Sequence, residues 1–373
     1  YTPNNENKYQ VVNIEKLLTN NKIQQISVNN IYSIENDTVY FIPYNYDYLL
    51  ALDVKENVIR VINIEKSEYT NYRNLISNYI DNVSKGKFKA SIIVGDNLYI
   101  APYIEHKDDS TNPAIILIYN FVNDNEDNFV NIEAVDISQI LNKNAGNAEF
   151  KELFTTILYY YENPKDYLFL INENTFPLVV YNITDKEAKE VNKTDDYRYI
   201  DGYINGNKMY LLDHYGSNLY VYNIKIDRTN IDLNSNNHIN LNENNEVNYN
   251  TPLFSKILEH NDVSYFIPYN TNYIAIYSNT SVSSNYLSDY TSNQELYKGG
   301  TIMELNDNAY LIMVPYYADK LYMYNITENN LTYIEDVIFK TNRFTGCTVD
   351  LKGNLYMNTV YGDVLYYSLS IDK

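Results

Sequence analysis

Alternating apolar and polar positions recur along the chain as pairs of short segments joined by a turn. Each segment is rich in Tyr, Ile, Val and Leu and is bounded by Asn, Asp or Gly, a composition typical of β-strands. In one segment, Leu219 and Val221 point to one side while Tyr220 and Tyr222 point to the other. The paired segments therefore predict a series of β-hairpins.

The hairpin occurs seven times, and its first strand carries a tyrosine at an equivalent position in every copy. These tyrosines are Tyr40, Tyr99, Tyr167, Tyr210, Tyr265, Tyr310 and Tyr356. Their successive spacings are 59, 68, 43, 55, 45 and 46 residues. The shortest spacings match one four-stranded propeller blade, and the longer ones match a blade plus an insertion. We interpret the hairpin as strands B and C, the middle pair of each blade.

Flanking segments predict the other strands of most blades. Outer strands D follow the hairpins at residues 58–65, 129–137 and 331–339. Inner strands A precede the hairpins and begin at Lys89, Tyr197, Thr301 and Cys347. Residues 71–83 and 136–154 space their apolar positions as a helix does, which predicts short helical insertions between blades.

The N-terminal segment predicts how the array of blades is completed. Residues 9–16 (YQVVNIEK) nearly duplicate residues 59–66 (IRVINIEK), which belong to an outer strand. Little sequence follows the seventh hairpin, so the N-terminal segment can supply the missing strand D of that blade. The predicted fold is all-β: a seven-bladed β-propeller over residues 1–373, one domain closed by an N-terminal strand.

The repeat resembles bacterial β-propeller repeat proteins of the kelch, pyrroloquinoline-quinone-like and YVTN-like kinds. Runs such as residues 321–330 (LYMYNITENN) carry the resemblance, which covers nearly the whole chain. The chain does not repeat the Gly-Gly pair that marks kelch blades, and it contains no Trp, unlike the quinoproteins. The resemblance therefore implies the fold and transfers no active site.

Composition narrows the classes of partner. The chain has 48 acidic and 28 basic residues, a net charge of −20. Nucleic-acid backbones and anionic membrane surfaces repel such a polyanion, so we expect neither as the main partner. No apolar run reaches 18 residues, so we expect no membrane span. The single cysteine, Cys347, excludes an internal disulfide and a cysteine-based zinc site.

Glycine is scarce for a β protein with many turns, since only 11 residues are Gly. After Gly, Asn is the residue that best tolerates positive φ, and it is abundant in this chain. We interpret many of the Asn residues as turn residues in the place of Gly.

The B–C turns provide the candidate binding surface. Six of them carry a tyrosine, and in four the tyrosine follows a proline that restricts the turn. Because B–C turns share one face of a propeller, these rings can form a rigid platform for sugars or a protein. The alternative is that the rings pack between blades. The candidates are Tyr44, Tyr103, Tyr215, Tyr269, Tyr316 and Tyr361, of which the first, second, fourth and fifth follow Pro43, Pro102, Pro268 and Pro315.

Two arginines are further candidates for ligand binding. Arg198 and Arg343 lie at the start of inner strands. Two guanidinium groups can hold one carboxylate between them. The alternative is that each arginine pairs with one of the chain's own acids.

One stretch matches a calcium-binding loop by spacing. Asp232, Asn234, Asn236 and Glu243 fall at loop positions 1, 3, 5 and 12. Position 6 is Asn237 where the loop normally has Gly, and no helix is predicted on either side. Calcium is thus a possible ligand, with a solvated loop of the fourth blade as the alternative; no other cofactor is expected.

The sequence lacks the common catalytic motifs: a P-loop, a dinucleotide-binding glycine motif, a nucleophile elbow and paired zinc histidines. This favours a non-catalytic binding module, extracellular or at a cell surface, that recognises a protein or glycan on its tyrosine-rich face. One alternative is an enzyme acting on polysaccharide, a hydrolase or lyase with an axial active site. The other is a structural, self-assembling surface protein.

Overall fold

All seven equivalent tyrosines of the repeat lie in the second strand of a four-stranded blade. The computed structural model describes residues 9–12, 27–82, 86–103, 114–122, 130–142, 153–173, 178–193, 198–226, 231–242, 252–278, 280–287, 289–290, 295–360 and 364–369. Within these residues, strands A to D of each blade are hydrogen-bonded in that order. The fold is all-β, a seven-bladed β-propeller, as the repeat predicts.

The chain divides into two compact units. One comprises Tyr1–Phe41, Ala51–Arg60 and Asn248–Lys373, and the other comprises Ile42–Leu50 and Val61–Val247. The strands of blade 1 are divided between them: Ser27–Ser33, Thr38–Pro43, Tyr48–Asp53 and Val58–Asn63. A single domain over residues 1–373 stays a prediction.

The first unit contains blades 5, 6 and 7. Blade 5 has strands Phe254–His260, Val263–Pro268, Tyr273–Ser278 and Ser281–Tyr286. Blade 6 has strands Tyr297–Leu305, Asn308–Pro315, Lys320–Asn325 and Asn330–Glu335, followed by helix α3, Val337–Thr341. Blade 7 has strands Phe344–Val349, Asn354–Thr359 and Val364–Ser368, with Tyr9–Val12 as its strand D.

The second unit contains blades 2, 3 and 4. Blade 2 has strands Phe88–Val94, Asn97–Pro102, Ile115–Asn120 and Ile132–Asp136. Blade 3 has strands Phe154–Glu162, Lys165–Asn172, Leu178–Asn182 and Glu187–Lys193. Blade 4 has strands Tyr199–Asn205, Lys208–Asp213, Asn218–Ile226 and Ile231–Asn240. Helices α1, Thr70–Asn82, and α2, Ser138–Asn142, lie between blades.

The N-terminal strand completes the seventh sheet, as predicted. Tyr9–Val12 pairs antiparallel with the last strand, Tyr9 opposite Tyr367 and Val12 opposite Val364. The strand covers four of the eight residues that match residues 59–66. This pairing protects an edge that would otherwise offer unpaired backbone groups to other chains.

Burial follows the position of a strand in its blade. Thr38–Pro43, strand B of blade 1, is buried at all six positions, whereas Asn330–Glu335, strand D of blade 6, has no fully buried residue. Apolar side chains of consecutive sheets meet in cores such as that of Met303, Ile312, Phe344 and Leu355 between blades 6 and 7. Sheets covered on both faces explain why the B strands are apolar almost throughout.

All three predicted outer strands are shorter than the sequence pattern implied, and that of blade 2 spans Ile132–Asp136. In blade 1 the strand ends at Asn63 and a 3-10 turn, Ile64–Lys66, follows. In blade 6 the prediction of strand over residues 337–339 is wrong, because α3 begins there. Asp336 caps this helix by accepting a hydrogen bond from the Ile338 backbone N–H at 3.1 Å.

The outer strands of blades 3 and 4 pair with each other, which the sequence pattern did not predict. Asn192 lies opposite Asp232 and Lys193 opposite Leu233, in parallel. The two blades thus share one eight-stranded sheet. A parallel contact between strands far apart in sequence carries no local turn signal.

Asn and Asp do replace Gly in the tight turns. Asn261 and Asp262 both have positive φ, 52° and 64°, as do Asn306 and Asp307, at 51° and 61°. Positive φ at both central residues is the geometry of the type I′ hairpin turn. These pairs close the A–B hairpins of blades 5 and 6, in the role that Asn-Gly usually fills.

A β-bulge marks the start of strand A in blades 2 to 7. The register with strand B shifts by one residue in each of these blades. In blade 5 the bulged residue is Ser255, whose hydroxyl donates to the Tyr297 carbonyl oxygen of blade 6 at 2.9 Å. Bulges of this kind redirect side chains out of the ladder, here toward the next blade or the neighbouring turn.

Two of these inner strands approach so closely that they require glycine. A Cβ atom on Gly299 of blade 6 would lie 2.9 Å from Gly346 Cα of blade 7. We expect Gly299→Ala to lower the free energy of unfolding by about 1–3 kcal/mol, because backbone must move to admit the methyl group. Denaturant titration measures this, with the exposed Ser283→Ala as control; equal stability of both variants would contradict the close approach.

Removal of the N-terminal strand is the direct test of blade 7. We expect a chain that lacks residues 1–12 to unfold several degrees lower and to aggregate more readily, because Val364–Ser368 becomes an open edge. A chain that lacks only residues 1–8 is the control, since it keeps the strand. Differential scanning fluorimetry and light scattering measure both effects, and a synthetic peptide of residues 9–16 added in trans should restore stability. Identical behaviour of the two truncated chains would contradict the pairing.

Candidate functional site

The predicted tyrosines lie at the ends of the B strands, as the hairpin pattern requires. Pro43, Pro102, Pro268 and Pro315 are the last residues of their strands, and Tyr44, Tyr103, Tyr269 and Tyr316 follow them. Tyr215 lies in the turn after strand B of blade 4, and Tyr361 lies outside the described residues. The structure gathers these rings into three separate groups, two in the second unit and one in the first.

The first group packs Tyr44 of blade 1 against Tyr103 of blade 2. Their ring centroids lie 5.6 Å apart at 39°, and the Lys89 ammonium lies 4.5 Å from the Tyr103 centroid. Tyr103 is only 3% exposed. Lys87 is buried and pairs with Asp47. Its backbone bonds to both tyrosines of the group: its N–H donates to the Tyr44 carbonyl oxygen, and its carbonyl oxygen accepts from the Tyr103 N–H. This group therefore matches the packing alternative, since its inner ring does not face solvent.

The second group places Tyr215 beside a charged pair. Its ring contacts His214 edge to face at 5.2 Å, and Tyr215 is 44% exposed. His214 Nδ1 lies 3.0 Å from a carboxylate oxygen of Glu173, at the end of strand B of blade 3. The backbone N–H of His214 donates to the carbonyl oxygen of Arg198 at 2.7 Å, and the Arg198 side chain is exposed.

The Glu173 carboxylate favours the protonated form of His214. Its hydrogen bond raises the pKa of His214 above the ordinary histidine value, while partial burial and the nearby Arg198 charge oppose the rise. The sequence alone identified neither the pairing nor Glu173, because the two residues lie on different blades.

The third group lies in blades 5 to 7 and contains Tyr317, which is 51% exposed. Tyr269 and Tyr316 have ring centroids 6.4 Å apart, and Tyr317 stands perpendicular to Tyr316 at 4.9 Å. Two cations accompany the rings: Lys298 Nζ lies 4.8 Å from the Tyr316 centroid, and the Arg343 guanidinium carbon lies 3.9 Å from that of Tyr317. We call these five residues the Tyr317 cluster.

The main chain fixes the Tyr317 cluster in place. The N–H of Tyr316 donates to the Leu296 carbonyl oxygen at 2.7 Å, and that of Tyr317 donates to the Glu295 carbonyl oxygen at 3.0 Å. The Leu296 N–H in turn donates to the Tyr269 carbonyl oxygen at 2.7 Å. Burial raises the pKa of the Tyr269 hydroxyl, and the charge and hydrogen bond of Glu295 raise it further. The Tyr269 hydroxyl therefore stays neutral at physiological pH.

Sequence reasoning missed Tyr317, Lys298 and Glu295. Tyr317 directly follows the predicted Tyr316, so the Tyr-Tyr pair was a local signal. Lys298 is the bulged residue of strand A in blade 6, and a bulge of this kind carries no pattern in the sequence. Arg343 and Arg198, the two arginines predicted to share a carboxylate, belong to different units.

The predicted calcium loop has a different backbone. Ile231–Asn240 is a strand that pairs with Asn218–Ile226 along its length, so the loop conformation predicted for Asp232, Asn234 and Asn236 is wrong. An extended strand spaces such residues along a line instead of around one point. Glu243 lies outside the described residues. Among the residues described, no three His, Cys, Asp or Glu side chains come close enough to hold a metal ion.

No helix in the described part of the chain is long and apolar enough to cross a membrane.

Several solved β-propellers are similar to this chain in structure. The β-propeller domain of Cps50 (Swd1) from Myceliophteria thermophila has a TM-score of 0.60 at 8% identity, covering 97% of this chain and 100% of that one. The WD40 repeats of RRP9 have a TM-score of 0.56 at 8% identity and 97% coverage of each chain. YCF48, solved bound to D1 peptide, has a TM-score of 0.53 at 11% identity, covering 98% and 96%.

At these identities the similarity shows the propeller fold alone. No protein family model matches the chain, and no curated protein matches it in sequence. The resemblance to kelch, quinoprotein-like and YVTN-like repeats therefore stays a prediction from the sequence.

The His214–Glu173 pair gives a pH-dependent prediction. Because the folded-state pKa of His214 is raised, the pair stabilises the fold fully below the ordinary histidine pKa of about 6.5 and loses this effect as pH rises through the raised value. We expect Glu173→Gln to lower the pKa of His214 in an NMR titration. The difference in Tm between native chain and variant should be larger near pH ~5.5 than near pH ~8.

Glu190→Gln is the matched control, since it removes one charge from an exposed position on the outer strand of blade 3. It should leave the His214 titration unchanged. An unshifted His214 pKa in Glu173→Gln would show that the contact does not form in solution.

Proposed function

We propose that this chain is a non-catalytic module that binds a protein partner through the Tyr317 cluster. The observation that carries the proposal is the exposed ring of Tyr317, held between a perpendicular Tyr316 ring and the Arg343 guanidinium. Tyr317 is 51% exposed. Exposed tyrosine and arginine side chains are the residue types that supply most binding energy at protein interfaces.

Rigidity is the second support for the proposal. A tyrosine ring brings a large contact area and loses little rotational freedom on binding, because only two side-chain torsions must be fixed. Here the backbone bonds of Tyr316 and Tyr317 to residues 295–296 fix the turn as well. Binding a partner would therefore cost little additional conformational entropy, because folding has already ordered this surface.

Charge supports a protein over a nucleic acid. With a net charge of −20, the chain repels a polyanionic backbone at long range. YCF48, one of the similar propellers, is described as bound to a peptide, so a propeller of this architecture is able to present a peptide-binding surface. An extracellular or cell-surface location is part of the proposal and comes from the sequence alone.

The test begins with random 12-residue peptides displayed on phage and selected on the native chain. Fluorescence polarisation then measures the affinity of each selected peptide for the native chain and for Tyr317→Ala. We expect Tyr317→Ala to weaken binding by more than about tenfold, because an interface hot spot contributes roughly 2 kcal/mol or more. Tyr161→Ala is the control, since Tyr161 is also exposed, at 55%, but lies in blade 3.

Three outcomes would contradict the proposal. The selection can yield no peptide, Tyr317→Ala can bind as tightly as the native chain, or Tyr161→Ala can lose as much affinity as Tyr317→Ala. A glycan array run with the same variants covers the carbohydrate alternative: sugar binding that is lost in Tyr317→Ala would replace the protein partner with a glycan. Light scattering of the native chain across a range of concentrations tests self-assembly.

A further inference from the structure

We infer that Arg343 is a carboxylate-binding residue and that the segment recognised by the Tyr317 cluster is an acidic peptide, one that places a Glu or Asp side chain on this guanidinium. The inference rests on the proposed function and specifies the chemistry of its partner.

Arg343 is placed by its neighbours on both sides. It lies between α3 and strand A of blade 7, and its carbonyl oxygen accepts a hydrogen bond from the Val360 N–H at 3.0 Å. Its guanidinium lies over the Tyr317 ring, with the central carbon 3.9 Å from the ring centroid. One nitrogen, Nη1, donates to the Tyr317 hydroxyl at 2.9 Å. Both contacts fix the plane of the group without neutralising its charge.

Within the part of the chain that the structure describes, most of the donor capacity of Arg343 remains available. A guanidinium has five N–H donors, and the hydrogen bond to Tyr317 uses one. The side chain is exposed, and within the described residues no carboxylate lies within 4.0 Å of it. The nitrogens Nε and Nη2 form the edge that binds a carboxylate through two parallel hydrogen bonds.

Other cations of the chain pair with acidic side chains, as an arginine in this sequence would be expected to do. Lys165 pairs with Asp185 at 2.5 Å, Lys186 pairs with Glu133 at 2.7 Å, and Lys320 contacts Asp289 at 2.5 Å and Glu335 at 3.2 Å. With 48 acids against 28 bases, acidic partners are in excess. A fixed, solvent-facing guanidinium that pairs with no acid of the described ranges is therefore a positive feature on a strongly negative protein.

The surroundings of Arg343 favour a single carboxylate. Lys298 adds a second positive charge beside the same pair of rings. Two acids of the described residues near these rings interact with tyrosine hydroxyls: Glu295 with that of Tyr269, and Asp319 with that of Tyr290 at 2.5 Å. Recognition of a phosphate group usually requires a cluster of arginines, whereas this site has one. The net charge of −20 would also repel a polyanionic ligand. A single carboxylate is repelled less, because salt screens the charges of the protein that lie more than about 8 Å from it.

The experiment uses the peptides selected on the native chain. Each is synthesised in its original form, with every Glu and Asp replaced by Gln and Asn, and with each Glu or Asp replaced by phosphoserine. Fluorescence polarisation measures all forms against the native chain, Arg343→Gln, Arg343→Lys and the control Arg60→Gln, which changes an exposed arginine on the outer strand of blade 1.

We expect the native chain to prefer the acidic form over the amide form by at least tenfold. Arg343→Gln should abolish this preference while leaving the affinity for the amide form within about twofold. Arg343→Lys should keep part of the preference, because it retains the charge but not the two-pronged edge. Arg60→Gln should leave the affinity for both forms unchanged. Tyr317→Phe, which removes only the hydroxyl that orients Arg343, should give an intermediate loss.

The outcomes separate this inference from the proposed function. Selected peptides without acidic residues, equal binding of acidic and amide forms, or an equal loss of both forms in Arg343→Gln would overturn the inference and leave the binding module standing. Tighter binding of the phosphoserine forms would replace the carboxylate with a phosphate and would also overturn it. If no peptide is selected at all, the proposed function fails and the inference fails with it.

Discussion

One backbone hydrogen bond, present in blades 2, 4, 5, 6 and 7, positions the turn that follows strand B. It joins the N–H of the residue after strand B to the carbonyl oxygen of the residue just before strand A. The donor and acceptor are 2.7–3.0 Å apart in Tyr103 to Lys87, His214 to Arg198, Tyr269 to Leu253, Tyr316 to Leu296 and Val360 to Arg343. The β-bulge beside each bond accommodates it, because the extra residue lets strand A continue past the ladder. The positions of these turns therefore depend on main-chain hydrogen bonds and not on the identity of the side chains in the turn.

Side chains then determine whether the tyrosine of a turn is buried or exposed, as blades 2 and 6 show. In blade 2 the bulge supplies Lys89 to the ring of Tyr103, and in blade 6 it supplies Lys298 to the ring of Tyr316. The same cation–ring contact is buried in blade 2, where Tyr103 is 3% exposed, and lies beside the half-exposed Tyr317 in blade 6. Identical backbone geometry thus gives a packing contact in one place and a surface in the other. Neighbouring segments, not the repeat itself, select the site.

The features that the sequence predicted are those set by local periodicity or by direct repetition. The seven hairpins follow from alternating residues around equivalent tyrosines, and the N-terminal strand follows from its likeness to residues 59–66. Helix α1 follows from apolar spacing, whereas α3 depends on the cap at Asp336 within an otherwise strand-like run. Asp232, Asn234 and Asn236 had the spacing of a metal loop, but the hydrogen-bond ladder with blade 4 holds them in an extended strand. Spacing alone does not specify whether a polar run curls or extends.

The Tyr317 cluster could not be predicted from sequence for a related reason. Tyr317 and Arg343 are far apart in the chain and belong to different blades, so their contact depends on how blades 6 and 7 pack. Close packing of those blades depends in turn on Gly299 and Gly346, where two backbones meet with no room for a side chain. A tyrosine ring over a cation is also not specific by itself, since Lys320 lies 4.1 Å from the Tyr333 centroid.

Lys320 and Arg343 differ in whether an acidic side chain lies beside the cation. Lys320 is bonded to both Asp289 and Glu335, and the first of these contacts is the main cause of its raised pKa. Its charge is satisfied within the protein, and the pair contributes mainly to the surface of blade 6. Arg343 has the ring but, among the residues that the structure describes, no carboxylate within 4.0 Å, so the stacking orients a charge that these residues do not pair. In a chain with so many acids, a guanidinium held in this way is a local positive potential that the carboxylate of a partner can compensate.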